Sequence, residues 1–233
     1  MKLEILKELN AERAARRPVI IVTDTANGDQ RLVKAADIAG DPLRAELSKQ
    51  LRIGKSGNVE VAGKKLFLNV YAPTAKLVII GAVHISQALA PLARSLDYDV
   101  TVVDPRTAFA SPERFPDVPL VAEWPDVALP PLNVDHYTAF VAVTHDPKID
   151  DPALLHAFDR ECFYIGALGS RKTHAKRAER LRAQGAKDSD IARIHAPIGL
   201  DIGAVSPSEI AVSIMAEITA TLRLPAKEKE QAA

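Results

Sequence analysis

Four short segments carry the residue types that could seat an anion or move a proton: Gly81-Ala82-Val83-His84, Asp104-Pro105-Arg106, Thr144-His145-Asp146 and Gly166-Ala167-Leu168-Gly169-Ser170-Arg171. The first follows the apolar run Leu77-Val-Ile-Ile80 and opens a helical pattern, so its backbone N–H groups would meet a phosphate at a helix N-terminus. About twenty residues further on, Asp104 ends the apolar run Val100 to Val103, where an acid accepts hydrogen bonds from a ribose; the alternative is a turn cap ahead of Pro105. Arg106 is either a solvated charge or the holder of a 2′-phosphate or other anion. The G-x-G-x-x-G pattern is incomplete, because Val83 stands where its second glycine belongs, and this β-branched residue narrows the approach of a diphosphate.

Two further segments have paired readings. Thr144-His145-Asp146 is either a capping turn before a helix over Pro152–Phe158 or a titratable pair, His145 and Asp146, facing a crevice. In Gly166 to Arg171 two glycines permit close backbone approach, Ser170 can cap the following helix and Arg171 adds positive charge. That makes a second anion seat, or a plain strand-to-helix turn with a surface arginine. A fifth segment, His195 to Gly203, holds Gly199 and Asp201 in a stiff loop that either walls a pocket or merely connects.

These segments need elements to bring them together. From Ala75 onward strand-like and helix-like patterns alternate, with strands expected at Lys76–Ile80, Val100–Val103, Leu120–Val121, Ala139–Val143 and Phe163–Ile165. The fold class implied is α/β: a doubly wound, mostly parallel Rossmann-like sheet, whose ligands bind beyond the carboxyl ends of the strands, where the segments converge. Ser206-Pro207-Ser208-Glu209 starts the last helix with an N-cap, a first-turn proline and a capping-box acid. Ahead of Ala72-Pro73-Thr74, residues 1–74 read as a small α+β domain, with an N-terminal helix, strands at Val19–Thr23 and Lys65–Val70, a turn at Asn27-Gly28 and a helix over Pro42–Leu51. Residues 75–222 form the main domain and 223–233 a charged, frayed tail. Trp124 to Leu132, rich in proline, is expected to be an irregular connection.

Composition excludes other classes. Lys and Arg total 30, Asp and Glu total 30, and the formal net charge is zero, so no basic face for nucleic acid is expected. No apolar run approaches the roughly 20 residues that span a bilayer, and the amphipathic N-terminus is no secretory signal, so a cytoplasmic location without membrane association is expected. The single cysteine, Cys162, sits in an apolar run and is expected to be a buried, inert thiol.

Longer motifs carry a resemblance. Val143-Thr-His-Asp146, Tyr164-Ile-Gly-Ala-Leu-Gly-Ser-Arg-Lys172, Arg193-Ile-His-Ala-Pro-Ile-Gly-Leu-Asp-Ile-Gly-Ala204 and Pro207-Ser-Glu-Ile-Ala-Val-Ser-Ile214 closely resemble the Rossmann domain of the XdhC/CoxI family, the xanthine dehydrogenase and carbon monoxide dehydrogenase accessory factors, over about residues 75–222. The resemblance implies a cofactor-insertion chaperone rather than an enzyme. It would bind molybdenum cofactor, of the molybdopterin type or its cytidine dinucleotide form, support its sulfuration and deliver it to a molybdenum hydroxylase. It also implies a cysteine desulfurase as a further partner and a homodimer. The family's N-terminal Gly-Gly-Cys-Val-Glu motif has no counterpart before Ala75, and glycine is usual where Val83 stands. The alternatives are an NAD(P)-dependent oxidoreductase with His145 as general acid, and a nucleotide-sensing assembly scaffold.

Overall fold

In a computed structural model, which describes residues 2–224, the chain divides into two compact units, one of residues up to Pro73 joined by Arg223 and Leu224, the other Thr74–Leu222. The first unit is an antiparallel sheet in the order β2-β1-β4-β3, from β1 (Val19–Asp24), β2 (Gln30–Lys34), β3 (Gly57–Val61) and β4 (Lys64–Tyr71). Helix α2 (Arg44–Ile53) covers the face built from Ile20, Val22, Val33, Leu66 and Leu68, and α1 (Leu3–Ala14) sets Leu9 against Val19 and Ile21 on the other. Sequence patterns mark only β1 and β4. The strands β2 and β3 escape them because Gln30-Arg31-Leu32-Val33-Lys34 and Gly57-Asn58-Val59-Glu60-Val61 are half polar, as strands with one buried face are. The β3–β4 hairpin turns through Ala62 and Gly63, at φ 51 and 76, the left-handed pair that a two-residue hairpin requires.

The second unit is a six-stranded sheet in the order β7-β6-β5-β8-β9-β10, every pairing parallel. Its strands are β5 (Lys76–Ile80), β6 (Asp99–Val103), β7 (Leu120–Val121), β8 (Thr138–Ala142), β9 (Tyr164–Ala167) and β10 (Ile194–His195). The chain starts in the middle, builds outward through β6 and β7, then reverses across β5 to β8. This is the 3-2-1-4-5-6 order of a Rossmann-like fold, with its switch point between β5 and β8. Alternate residues of the central strand feed two cores. Leu77 and Ile79 face α3 (His84–Ser95) and α8 (Pro207–Arg223); Val78 and Ile80 face α4 (Pro125–Ala128), α5 (Pro147–Asp159), α6 (Arg171–Ala183) and α7 (Asp188–Ile191). Such apolar strands, buried on both faces, characterise parallel sheets.

Three elements differ from expectation. A sixth strand, β10, arises within the segment read as a loop and is too short at two residues to leave a pattern. The helix expected over Pro152–Phe158 begins at Pro147, because Asp146 accepts Lys148 N–H at 2.9 Å as N-cap and Pro147 takes the first helical position. The segment Trp124 to Leu132 contains α4 and a 3₁₀ turn over Pro130–Leu132. Helix α8 starts as its capping box requires, with Ser206 N–H donating to Glu209 at 2.8 Å and Glu209 N–H to Ser206 Oγ at 3.3 Å. Of the expected tail, residues 225–233 lie outside the described residues.

Candidate functional site

At the switch point, Gly81 leaves β5 at φ 118, and a Cβ there would stand 2.8 Å from Cγ2 of Thr144, so absence of a side chain lets the β5–α3 and β8–α5 turns lie against each other. Val83 precedes α3 without a side-chain cap, and His84, the first helical residue, is exposed. Ala82 is fully buried and its N–H donates to Asp104 at 2.7 Å.

Asp104, at the end of β6, is also fully buried, and both of its oxygens are engaged. Oδ1 accepts from the Arg106 backbone N–H and Nε at 2.9 Å each, and Oδ2 accepts from Ala82 N–H at 2.7 Å and Arg106 Nη2 at 2.8 Å. Burial alone would raise its pKa; the bonds from Arg106 and Ala82 outweigh it and hold the carboxyl below the ordinary 3.8. The acid expected to meet a ribose therefore braces the β5–α3 turn from beneath, and Arg106, pKa raised chiefly by Asp104 with help from Asp146 and Asp150, closes over it.

Thr144, His145 and Asp146 are held by a residue that no sequence motif singles out. Asp150, 2 % exposed, accepts from Thr144 Oγ1 at 2.6 Å and from the backbone N–H groups of Thr144 and His145 at 3.4 and 3.1 Å. Burial raises its pKa against these bonds and the nearby Arg177. His145 is thereby fixed at φ 63, a conformation uncommon for a residue with a side chain, and is exposed; Asp146 serves as the helix cap. A histidine and a carboxylate thus stand in the β8–α5 turn, with the carboxylate already occupied by backbone.

In the β9–α6 turn, Ser170 caps α6, accepting Thr173 N–H at 3.2 Å, and Arg171 is exposed at the first helical position. The two glycines differ in purpose. Gly169, at φ 132, makes the turn; Gly166 is buried in β9, where a Cβ would collide with Ile198 at 2.5 Å and Tyr164 at 2.8 Å, so it admits the protein's own core, not a ligand. Beneath the turn Arg177, 2 % exposed, donates Nη2 to Leu168 O at 2.7 Å, while Nε and Nη1 have no partner among the described residues. Each buried donor left unmatched costs about 1–3 kcal/mol.

Gly199 and Asp201 lie between β10 and α8. Gly199, at φ 89, packs against Ser213 too closely for any Cβ, and its N–H donates to Glu217 at 2.8 Å. Glu217 also accepts from Tyr164 O–H at 2.6 Å and pairs with His195 Nδ1 at 2.9 Å; the His195 ring stacks on Tyr164 with centroids 4.6 Å apart. Burial works to raise the Glu217 pKa, but His195 and Tyr164 overcome it and lower it. This tyrosine–glutamate–histidine cluster joins three segments far apart in sequence and leaves no local signal. Asp201 is exposed. Cys162 is buried just ahead of β9, and burial pushes its thiol up to about 12, the inert thiol anticipated.

Together these features define a Rossmann-like α/β domain whose strand-to-helix turns gather glycine, arginine and carboxylate groups at one edge of the sheet. The family profile described as the XdhC Rossmann domain matches residues 77–218, and the chain belongs to that family. It is 34% identical over 155 residues to the Uncharacterized protein YqeB of Escherichia coli, covering 66% of this chain and 28% of that protein. It is 33% identical over 157 residues to a probable xanthine dehydrogenase subunit of Bacillus subtilis, covering 67% and 46%, and 30% identical over 158 residues to the Molybdenum cofactor insertion chaperone PaoD of Escherichia coli, covering 68% and 43%. The matched stretch is thus less than half of each of these relatives. A crystal structure described as a xanthine dehydrogenase from Bacillus halodurans shares the fold at TM-score 0.64 and 24% identity, over 98% of this chain and 66% of that one. Among the described residues, no helix is long and apolar enough to cross a membrane.

Proposed function

We propose that the protein is an accessory carrier of molybdopterin-type cofactor for a molybdenum hydroxylase of the xanthine dehydrogenase class. The observation that carries this reading is membership of the XdhC family together with 30% identity to a molybdenum cofactor insertion chaperone across the segment holding all the strand-end turns. The residues fit one end of such a cargo. Its phosphate, alone or within a cytidine dinucleotide, suits the arginines and backbone donors at the strand ends, namely the uncapped N–H groups at His84, Arg106 after β6, and Arg171 and Arg177 of α6. The metal end finds no thiolate: Cys162, the only cysteine, is buried with its thiol protonated at neutral pH. Sulfuration then draws its sulfur from a partner, a cysteine desulfurase, and this chain holds the cargo while that happens in the cytoplasm, as a homodimer. An NAD(P)-dependent oxidoreductase has less support, since Asp104, the residue that would read the ribose, is sealed beneath Arg106 and Ala82.

Protein purified without oxygen from cells making molybdenum cofactor is expected to retain molybdenum by mass spectrometry and pterin fluorescence after oxidation. Arg171→Ala is expected to lower both. Wild-type protein that carries neither, although a molybdenum hydroxylase in the same cells is fully loaded, would end this reading.

A further inference from the structure

Arg177 lies in the second turn of α6, sealed from solvent, and yet two of its guanidinium nitrogens have no partner among the described residues. Only Nη2 is used, on Leu168 O, the carbonyl that leads into the β9–α6 turn. Nε and Nη1 are buried without a partner among the described residues, and so is Nδ1 of His174, one turn earlier on the same helix. Counter-charge is near but engaged elsewhere. Asp150 and Asp151 both act on the guanidinium through space. Asp151 takes Arg180 Nε and Nη2 at 2.6 and 3.0 Å, and Asp150 is occupied by Thr144 and His145. Arg177 is therefore bonded to a carbonyl of one turn, on a helix that Arg180 and Asp151 fasten to α5, the helix following the other.

Buried donors without acceptors are rare in folded proteins, and each calls for an explanation. An unused guanidinium edge matches the oxygens of a phosphate or carboxylate better than any other common group. The turns beside it supply what an anion needs: a capped helix start, a glycine at φ 132 and exposed Arg171. We infer that Arg177 is the buried anchor for a phosphate oxygen of a ligand lodged between the β8–α5 and β9–α6 turns. The inference rests on the cofactor-carrier reading for which molecule brings the phosphate, and on the unpartnered donors alone for where it is held. The competing role for Arg177 is a strut that merely balances the charge of Asp150.

Calorimetric titration of the full chain with inorganic pyrophosphate separates the two roles, in wild type, Arg177→Met and Arg177→Lys. An anchor predicts that wild type binds pyrophosphate and that Arg177→Met weakens binding about tenfold or more, with Arg177→Lys between them. No binding by wild type, or affinities unchanged within about twofold in the folded variants, would overturn the anchor. If Arg177→Met fails to fold, Arg177→Lys against wild type decides by the same criterion. CDP and NAD⁺ titrated in parallel distinguish the source of the phosphate, and either must lose affinity in Arg177→Met. No molybdenum or pterin enters these measurements, so empty protein from the cofactor-retention experiment leaves the anchor standing, and failed pyrophosphate binding leaves that experiment's outcome intact.

Discussion

At the β5–α3 turn the nearby acid closes on the turn itself, for Asp104 binds Ala82 N–H and is covered by Arg106; at the β9–α6 turn the nearby base, Arg177, is left with two nitrogens unmatched. Both turns follow strands of one parallel sheet and both lead into helices at its carboxyl edge. The first turn is satisfied by the protein itself, whereas the second leaves donors unpartnered among the described residues. In this chain the proposed anion seat accordingly lies where bonding capacity is left unused among the described residues, not where the dinucleotide fingerprint would place it.

The comparison breaks most sharply at Asp150, which braces one turn and faces the arginine beneath the other. Asp150→Ala removes the acceptor for Thr144 and His145 and strands Arg177, and is expected to cost about 3–5 kcal/mol in urea unfolding. Adding Arg177→Met to it should recover part of that loss, a coupling of about 1–3 kcal/mol; strict additivity would show that the two residues do not sense each other. Asp104→Ala is expected to cost somewhat less, about 2–4 kcal/mol, through the orphaned Ala82 N–H and Arg106, with pyrophosphate affinity nearly unchanged. A large loss of affinity there would move the anion seat back to the first turn.

Acid should pull the two carboxylates in opposite directions. The pKa of Asp104 is lowered in the fold, so its stabilisation is present above 3.8 and is lost as pH falls through its folded value. That of Asp150 is raised, so its ionisation removes stability as pH climbs from 3.8 to its folded value, and acidification restores it. Unfolding of Asp104→Asn should consequently depend less steeply on acid than wild type, and that of Asp150→Asn more steeply; the same slope in both would contradict the assignment. The smallest effect concerns Tyr164→Phe, which deletes one hydrogen bond to Glu217 and is expected to cost about 1 kcal/mol, with no change in pyrophosphate binding.

Where a function is carried by consecutive residues, the sequence discloses it. Ser206 to Glu209, Ser170, and the apolar runs of β5, β6 and β8 announce caps and buried strands through short-range chemistry. Asp150 and Arg177 are invisible in that way, because a charge on an otherwise ordinary helix looks solvated until the packing of α5 against α6 buries it. Gly166 shows the converse: a glycine in a suggestive motif whose bare Cα is filled by Ile198 and Tyr164. The Asp146-Pro147 pair does hold the signal for the start of α5, outweighed by the second proline at Pro152.

The edge of the sheet is fastened by a carboxylate of α8. Glu217 follows Tyr164 by 53 residues and His195 by 22. Strand β10 pairs with β9 at only two positions, so this side-chain knot helps to fasten an edge that backbone pairing alone secures weakly. Without the Glu217 carboxylate that two-residue edge strand would keep its histidine and tyrosine untethered, an open border available for pairing with another chain.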